Sequence, residues 1–164
     1  MKLKLNMIQI YIGFSKPRKW FVPYSWLIKW VDKTPYSHVY IKFYSSTADE
    51  WLIYQASHTN VNFFNERYFV ETNDVVDEFP FTLSNEDWHN ALKFAIQHVG
   101  APYGVKQVIG IALGLIFGKN PFKDGSESYV CSELIQCMIN LPTGIDPDDV
   151  RPVDIHHYLE THDG

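Results

Sequence analysis

The chain has 164 residues, 46% of them hydrophobic and 16% aromatic, with a formal net charge of −5 and a pI near 5.7. That length suits one domain with a substantial core, spanning residues 1–164, and the apolar share argues against disorder. The acidic balance argues against a nucleic-acid partner, and two cysteines are too few for a disulfide framework. Cys131 and Cys137 point about 120° apart on one predicted helix, so they should not bridge.

Alternating apolar residues predict a buried strand over residues 7–13. Ser25 fits the cap of a short helix carrying Trp26, Leu27 and Trp30, stopped before Pro35. Residues 38–44 and 51–55 read as a β-hairpin with a polar loop, and 61–64 and 67–71 as further strands, with 74–81 extended. Ser84 and Asp87 form a capping box for a helix in which Trp88, Leu92, Ala95 and Val99 share one stripe, ended by Gly100. Pro102-Tyr103-Gly104 marks a turn, and 105–117 is helical or irregular. Residues 129–139 predict a second core helix, and Pro152 opens a short last one. Strands first and helices second predict an α+β fold, an antiparallel sheet packed against helices.

No apolar leader followed by a small-residue cleavage site begins the sequence, so a reducing, cytoplasmic setting is expected. The run Val108 to Phe117, interrupted by Gly110 and Gly114, is about half the length a bilayer crossing requires. It is expected in the core or a pocket wall. Membrane contact is not indicated, although the run leaves it open. The acidic turn at Asp146, Asp148 and Asp149 lacks the spacing of a calcium loop, and no phosphate-binding glycine motif occurs. No metal or organic cofactor is expected.

The chemistry concentrates in two places. Cys131-Ser132-Glu133-Leu134 opens a helix, where backbone N–H groups lack partners and the positive dipole end lowers a thiol pKa. His38 opens a strand, a rigid place from which an imidazole can act as base. The plain alternative for Cys131 is a small core residue among Val130, Leu134, Ile135 and Met138.

Val99-Gly100-Ala101-Pro102-Tyr103-Gly104, followed by Tyr129-Val130-Cys131-Ser132-Glu133-Leu134, resembles the G-x-P-Y … C-S-x-L pattern of NlpC/P60-type cysteine hydrolases. Ser37-His38-Val39-Tyr40-Ile41 resembles their histidine strand, and Ile53-Tyr54-Gln55-Ala56-Ser57 the strand with the third polar residue. Histidine before cysteine is the order of the circularly permuted papain-like branch, the YiiX-like and LRAT-like hydrolases and acyltransferases. The likeness covers roughly residues 7–158, although the Pro-Gly-Asp opener typical of permuted relatives is missing.

The resemblance implies Cys131 as nucleophile, His38 as base and acid, and Gln55 as the group orienting the imidazole, with His58 and Glu50 as rivals. It implies Tyr103 and Ser132 at the substrate, Tyr103 equally readable as a packing tyrosine and Ser132 as a cap. Glu133 reads as a first-turn acid. The expected reaction is hydrolysis of a peptide or other amide through a thioester. The alternatives are a lipid acyl-ester hydrolase or acyltransferase, for which Trp20, Phe21, Trp26, Trp30 and residues 108–117 would suit an acyl chain, and a binding module without catalysis. A bacterial or phage origin fits by analogy only. The sequence leaves oligomeric state open.

Overall fold

A computed structural model describes residues 7–19, 23–119, 121 and 128–162, with the side chains of 23, 24 and 26 excepted. Trp20, Phe21 and the Trp26 side chain therefore lie outside the described residues. The chain runs β1 (Met7–Pro17), α1 (Pro23–Asp32), β2 (His38–Ser45), β3 (Glu50–Ala56), β4 (Val61–Asn65), α2 (Glu66–Thr72), β5 (Asn73–Ser84), α3 (Asn85–His98), α4 (Val105–Phe117), α5 (Cys131–Ile139) and α6 (Pro152–His162). The five strands form one antiparallel sheet in the order β4-β3-β2-β1-β5. With six helices among the described residues, the fold is α+β, as the sequence predicts.

Strand alternation sorts side chains onto two faces. Ile10, Ile12 and Phe14 of β1, Val39, Ile41 and Phe43 of β2, and Tyr54 and Ala56 of β3 join Leu134, Ile135 and Met138 of α5 in the main core. Every residue of α5 except Cys137 is buried. Burying one Leu or Ile side chain contributes about 1.5–3 kcal/mol, so this short helix is held by packing rather than propensity. The opposite face carries a smaller cluster of Tyr40, Ile53 and Phe69. Gly13 pairs with Tyr40 across β1 and β2. The hydroxyl end of the Tyr40 ring lies over it, and a Cβ there would fall 2.1 Å from a ring carbon.

One local reading changes and two sharpen. Residues 67–71, expected as a strand, form most of α2: the Asn65 side chain accepts the Arg67 N–H as an N-cap, and only Phe69 is buried. Aromatic and β-branched residues favour strands, but this cap and the docking of Phe69 beside Tyr40 decide for a helical turn. Residues 74–81 belong to the twelve-residue β5, whose edge position accommodates Pro80. Residues 105–117 are fully helical, ended by Gly118 in the left-handed conformation (φ 79°). The Ser84 capping box is present, with the Asp87 N–H donating to Ser84 Oγ at 3.0 Å.

Candidate active site

The sequence predicts the cysteine helix over residues 129–139. It begins instead at Cys131, after Val130 in extended conformation as N-cap. The thiol therefore sits at the first helical residue, where unsatisfied N–H groups converge. The backbone N–H groups of Val39, Ser132 and Cys131 itself point at the sulfur. Strand geometry explains why Val39 is available. The β2–β3 pairing begins at Ile41↔Tyr54, so the first residues of β2 stand clear of β3.

Burial competes with these donors and wins. Cys131 is 1% exposed. Desolvation pushes its thiol up to about 11, the N–H groups oppose this, and the nearby charge of Asp32 adds to the rise. The expected lowering of the thiol pKa is thus reversed in the resting protein, and the thiol is protonated at neutral pH.

His38 lies one residue before Val39. Its Nε2 is 2.7 Å from Gln55 Oε1, so the ring donates and the amide accepts, leaving Nδ1 as the basic nitrogen. Gln55 Nε2 donates in turn to Asn62 Oδ1 at 3.4 Å, and Asn62 Nδ2 donates to Ser57 Oγ at 3.0 Å. This chain fixes the amide of Gln55 with its oxygen towards the ring. Burial lowers the His38 pKa to about 4, with the Gln55 bond acting against it, so the imidazole is neutral. His38 and Gln55 share the sheet face of Tyr40 and Ile53, while α5 packs on the other face. The ring must therefore reach around the end of β2 to meet the thiol. Among the described residues no hydrogen bond joins His38 to Cys131.

The rivals for the third position lie elsewhere. His58 is exposed in the loop after β3, and Glu50 is at the far end of that strand, bonded to Asn65. Tyr103 lies near the sulfur, and its phenol is shifted upward by burial and by Cys131. Ser132 is not a free hydroxyl: its Oγ donates to the Val150 carbonyl at 2.7 Å, locking α5 to the approach of α6. What Ser132 offers a substrate is its N–H. Glu133 is the first-turn acid of α5 and is buried, and burial raises its carboxyl to about 7 against hydrogen bonds from Gln107 and the Val130 N–H.

Cys131, Ser132 and Tyr103 line a narrow cleft of about 30 Å³, room for one or two water-sized groups. Its apolar wall comes from Leu27, Ile28 and Val31 of α1 and Val108, Ile111 and Ala112 of α4. The first half of the run from Val108 is thus a pocket wall, whereas Leu115, Ile116 and Phe117 at its end are exposed rather than in core or wall. Asn62, which steadies Gln55, and Asp32 and Arg151, which close the cleft's polar end, were missed in the sequence. Asn62 could have been found, since it faces Gln55 in the β3–β4 register. Asp32 and Arg151 are 119 positions apart and give no local signal.

Among the described residues, no group of three His, Cys, Asp or Glu side chains could hold a metal ion. No helix there is long and apolar enough to cross a membrane. No protein-family model matches the chain, and no curated protein is significantly similar to it.

Proposed function

We propose that the protein is a cysteine-dependent acyl hydrolase with a permuted papain-like (NlpC/P60) fold, cleaving an amide or peptide bond through a thioester on Cys131. One observation carries the reading: the sulfur sits at the first residue of α5 under the Val39 N–H, one strand position from an imidazole whose Nε2 is tied to Gln55. A histidine held in this tautomer keeps its lone pair on Nδ1. That is the protonation state a general base requires.

In the reaction His38 Nδ1 takes the thiol proton as the sulfur attacks the carbonyl. The N–H groups of Cys131 and Ser132 hold the developing oxyanion. His38 then gives the proton to the leaving amine as its bond to carbon breaks. Water, deprotonated by His38, attacks the thioester and releases the acid, returning the proton to sulfur. Because thiol and imidazole are both neutral at rest, activation belongs to the substrate-bound state, in which the ring closes on the sulfur.

The apolar walls of the cleft favour a second reading of the same chemistry, with a lipid acyl ester as substrate. The cleft as it stands admits only the first atoms of such a chain, so α1 and α4 would have to part. The two readings separate on product mass after incubation with peptidoglycan fragments and with phospholipids.

Cys131→Ala is expected to lower turnover at least ~10³-fold with the thermal unfolding midpoint nearly unchanged. Turnover retained by this variant removes the nucleophile. A folded wild type that turns over neither class leaves the non-catalytic module.

A further inference from the structure

The polar end of the Cys131 cleft holds a carboxylate that the reaction above does not use. Asp32, the last residue of α1, lines the cleft with its side chain 2% exposed. Its Oδ1 accepts from Arg151 Nη1 at 2.8 Å, while Oδ2 is buried and meets no donor. Arg151 is shared: Nε and Nη2 donate to Asp154 at 3.1 and 3.2 Å. Two carboxylates on one guanidinium leave the cluster with a net negative charge. No other cationic side chain lines the cleft among the described residues.

We propose that Asp32 is a specificity-determining residue whose unpaired oxygen, beside Cys131, accepts a hydrogen bond from an ammonium carried by the acyl group of the substrate. The preferred acyl class is then an α-aminoacyl group: the cleft as it stands admits the amine on Asp32 and the atoms next to it, and α1 and α4 part to seat a short side chain against their apolar wall. The reasons are electrostatic and geometric. A buried acceptor without a partner calls for a donor, and a site of net negative charge with apolar walls discriminates for a cationic one. A hydroxyl would satisfy the oxygen but leave the charge uncompensated. Arg151 serves as the positioning residue, fixing the carboxylate so that Oδ2 rather than Oδ1 is the free oxygen.

The inference deepens the acyl-hydrolase reading, which supplies the place of the carbonyl, but its test needs no turnover. L-2-aminobutanamide and butanamide differ only in the amine. An α-amine with a pKa near ~8 is largely protonated at neutral pH. Titrated by calorimetry into Cys131→Ala protein at pH 7, the amine-bearing amide should bind at least tenfold more tightly. Asp32→Asn in the same background should erase that preference, with Asp32→Ser used if the first variant does not fold. Equal affinity for the two amides, binding of neither, or a preference that survives loss of Asp32 overturns the proposal and assigns Oδ2 to water. Whether the wild type forms a thioester on Cys131 is read separately, so failure of the hydrolase reading is not confused with failure of this one.

Discussion

Two polar regions of the molecule are built on opposite terms. On the face of the sheet under α2, Lys42 donates to Glu66 at 3.0 Å and to Glu78 at 2.6 Å, and the Tyr40 hydroxyl donates to the same Glu78 at 2.8 Å. Each of these side chains has a hydrogen-bonded partner, and none of them leaves a buried oxygen unpaired. Around the end of β2 the pattern inverts. The buried side-chain oxygens found without a partner among the described residues belong to Ser15, Asp32 and Glu133. Ser15 pairs with His38 in the β1–β2 register, Asp32 lines the Cys131 cleft, and Glu133 is two residues past the thiol. Native folds leave few such groups, and those that persist concentrate where a ligand or reaction completes them. The contrast separates a stabilising polar network from a waiting one.

The largest way to break the comparison is through pH. His38 is held near 4 in the folded protein against 6.5 when free, so the unfolded chain takes up its proton first. Its contribution is complete above pH 6.5 and is lost as pH falls from about 6.5 to 4. The full difference is on the order of 3 kcal/mol. Denaturant unfolding of His38→Gln should therefore show a shallower loss of stability than the wild type across that window. Asp32 and Glu133, raised to about 6 and about 7, act in the opposite direction but are common to both proteins. Parallel curves for the two proteins would mean that His38 is hydrated.

Next in size is the closed cluster. Lys42→Met leaves Glu66 and Glu78 facing each other without their cation, and a loss of about 2 kcal/mol is expected because both acids are partly exposed. Urea unfolding measures it, and a change below about 0.5 kcal/mol would erase the contrast between the regions. The smallest effect belongs to the open region. Ser15→Ala removes a buried hydroxyl that makes no bond, so stability should stay within about 1 kcal/mol of wild type or rise. A loss beyond about 2 kcal/mol would show that Ser15 is satisfied in solution.

Much of this was legible in the sequence, for identifiable reasons. Alternation over 38–44 and 51–55 predicts the hairpin that puts His38 and Gln55 on one sheet face, and their side chains meet at 2.7 Å beyond the last paired residues. The Ser84 cap and the stripe from Trp88 predict α3. The 67–71 segment misleads because its aromatic and β-branched residues favour a strand until Phe69 finds Tyr40, a contact no local pattern encodes. The state of the thiol is hidden for the same reason. A helix start lowers a cysteine pKa, but the walls that desolvate Cys131 come from α1 and α4, far along the chain. Asp32 carries no signal in the sequence, because the Arg151 that pairs with it comes from the other end of the chain.

The most direct test of the catalytic account is to trap the acyl group. Wild-type protein mixed with p-nitrophenyl butyrate, quenched in acid and digested, should carry a butyryl group on the Cys131 peptide, with far less on that peptide in His38→Ala. An unmodified Cys131 in the wild type, or equal acylation with and without the imidazole, would contradict it.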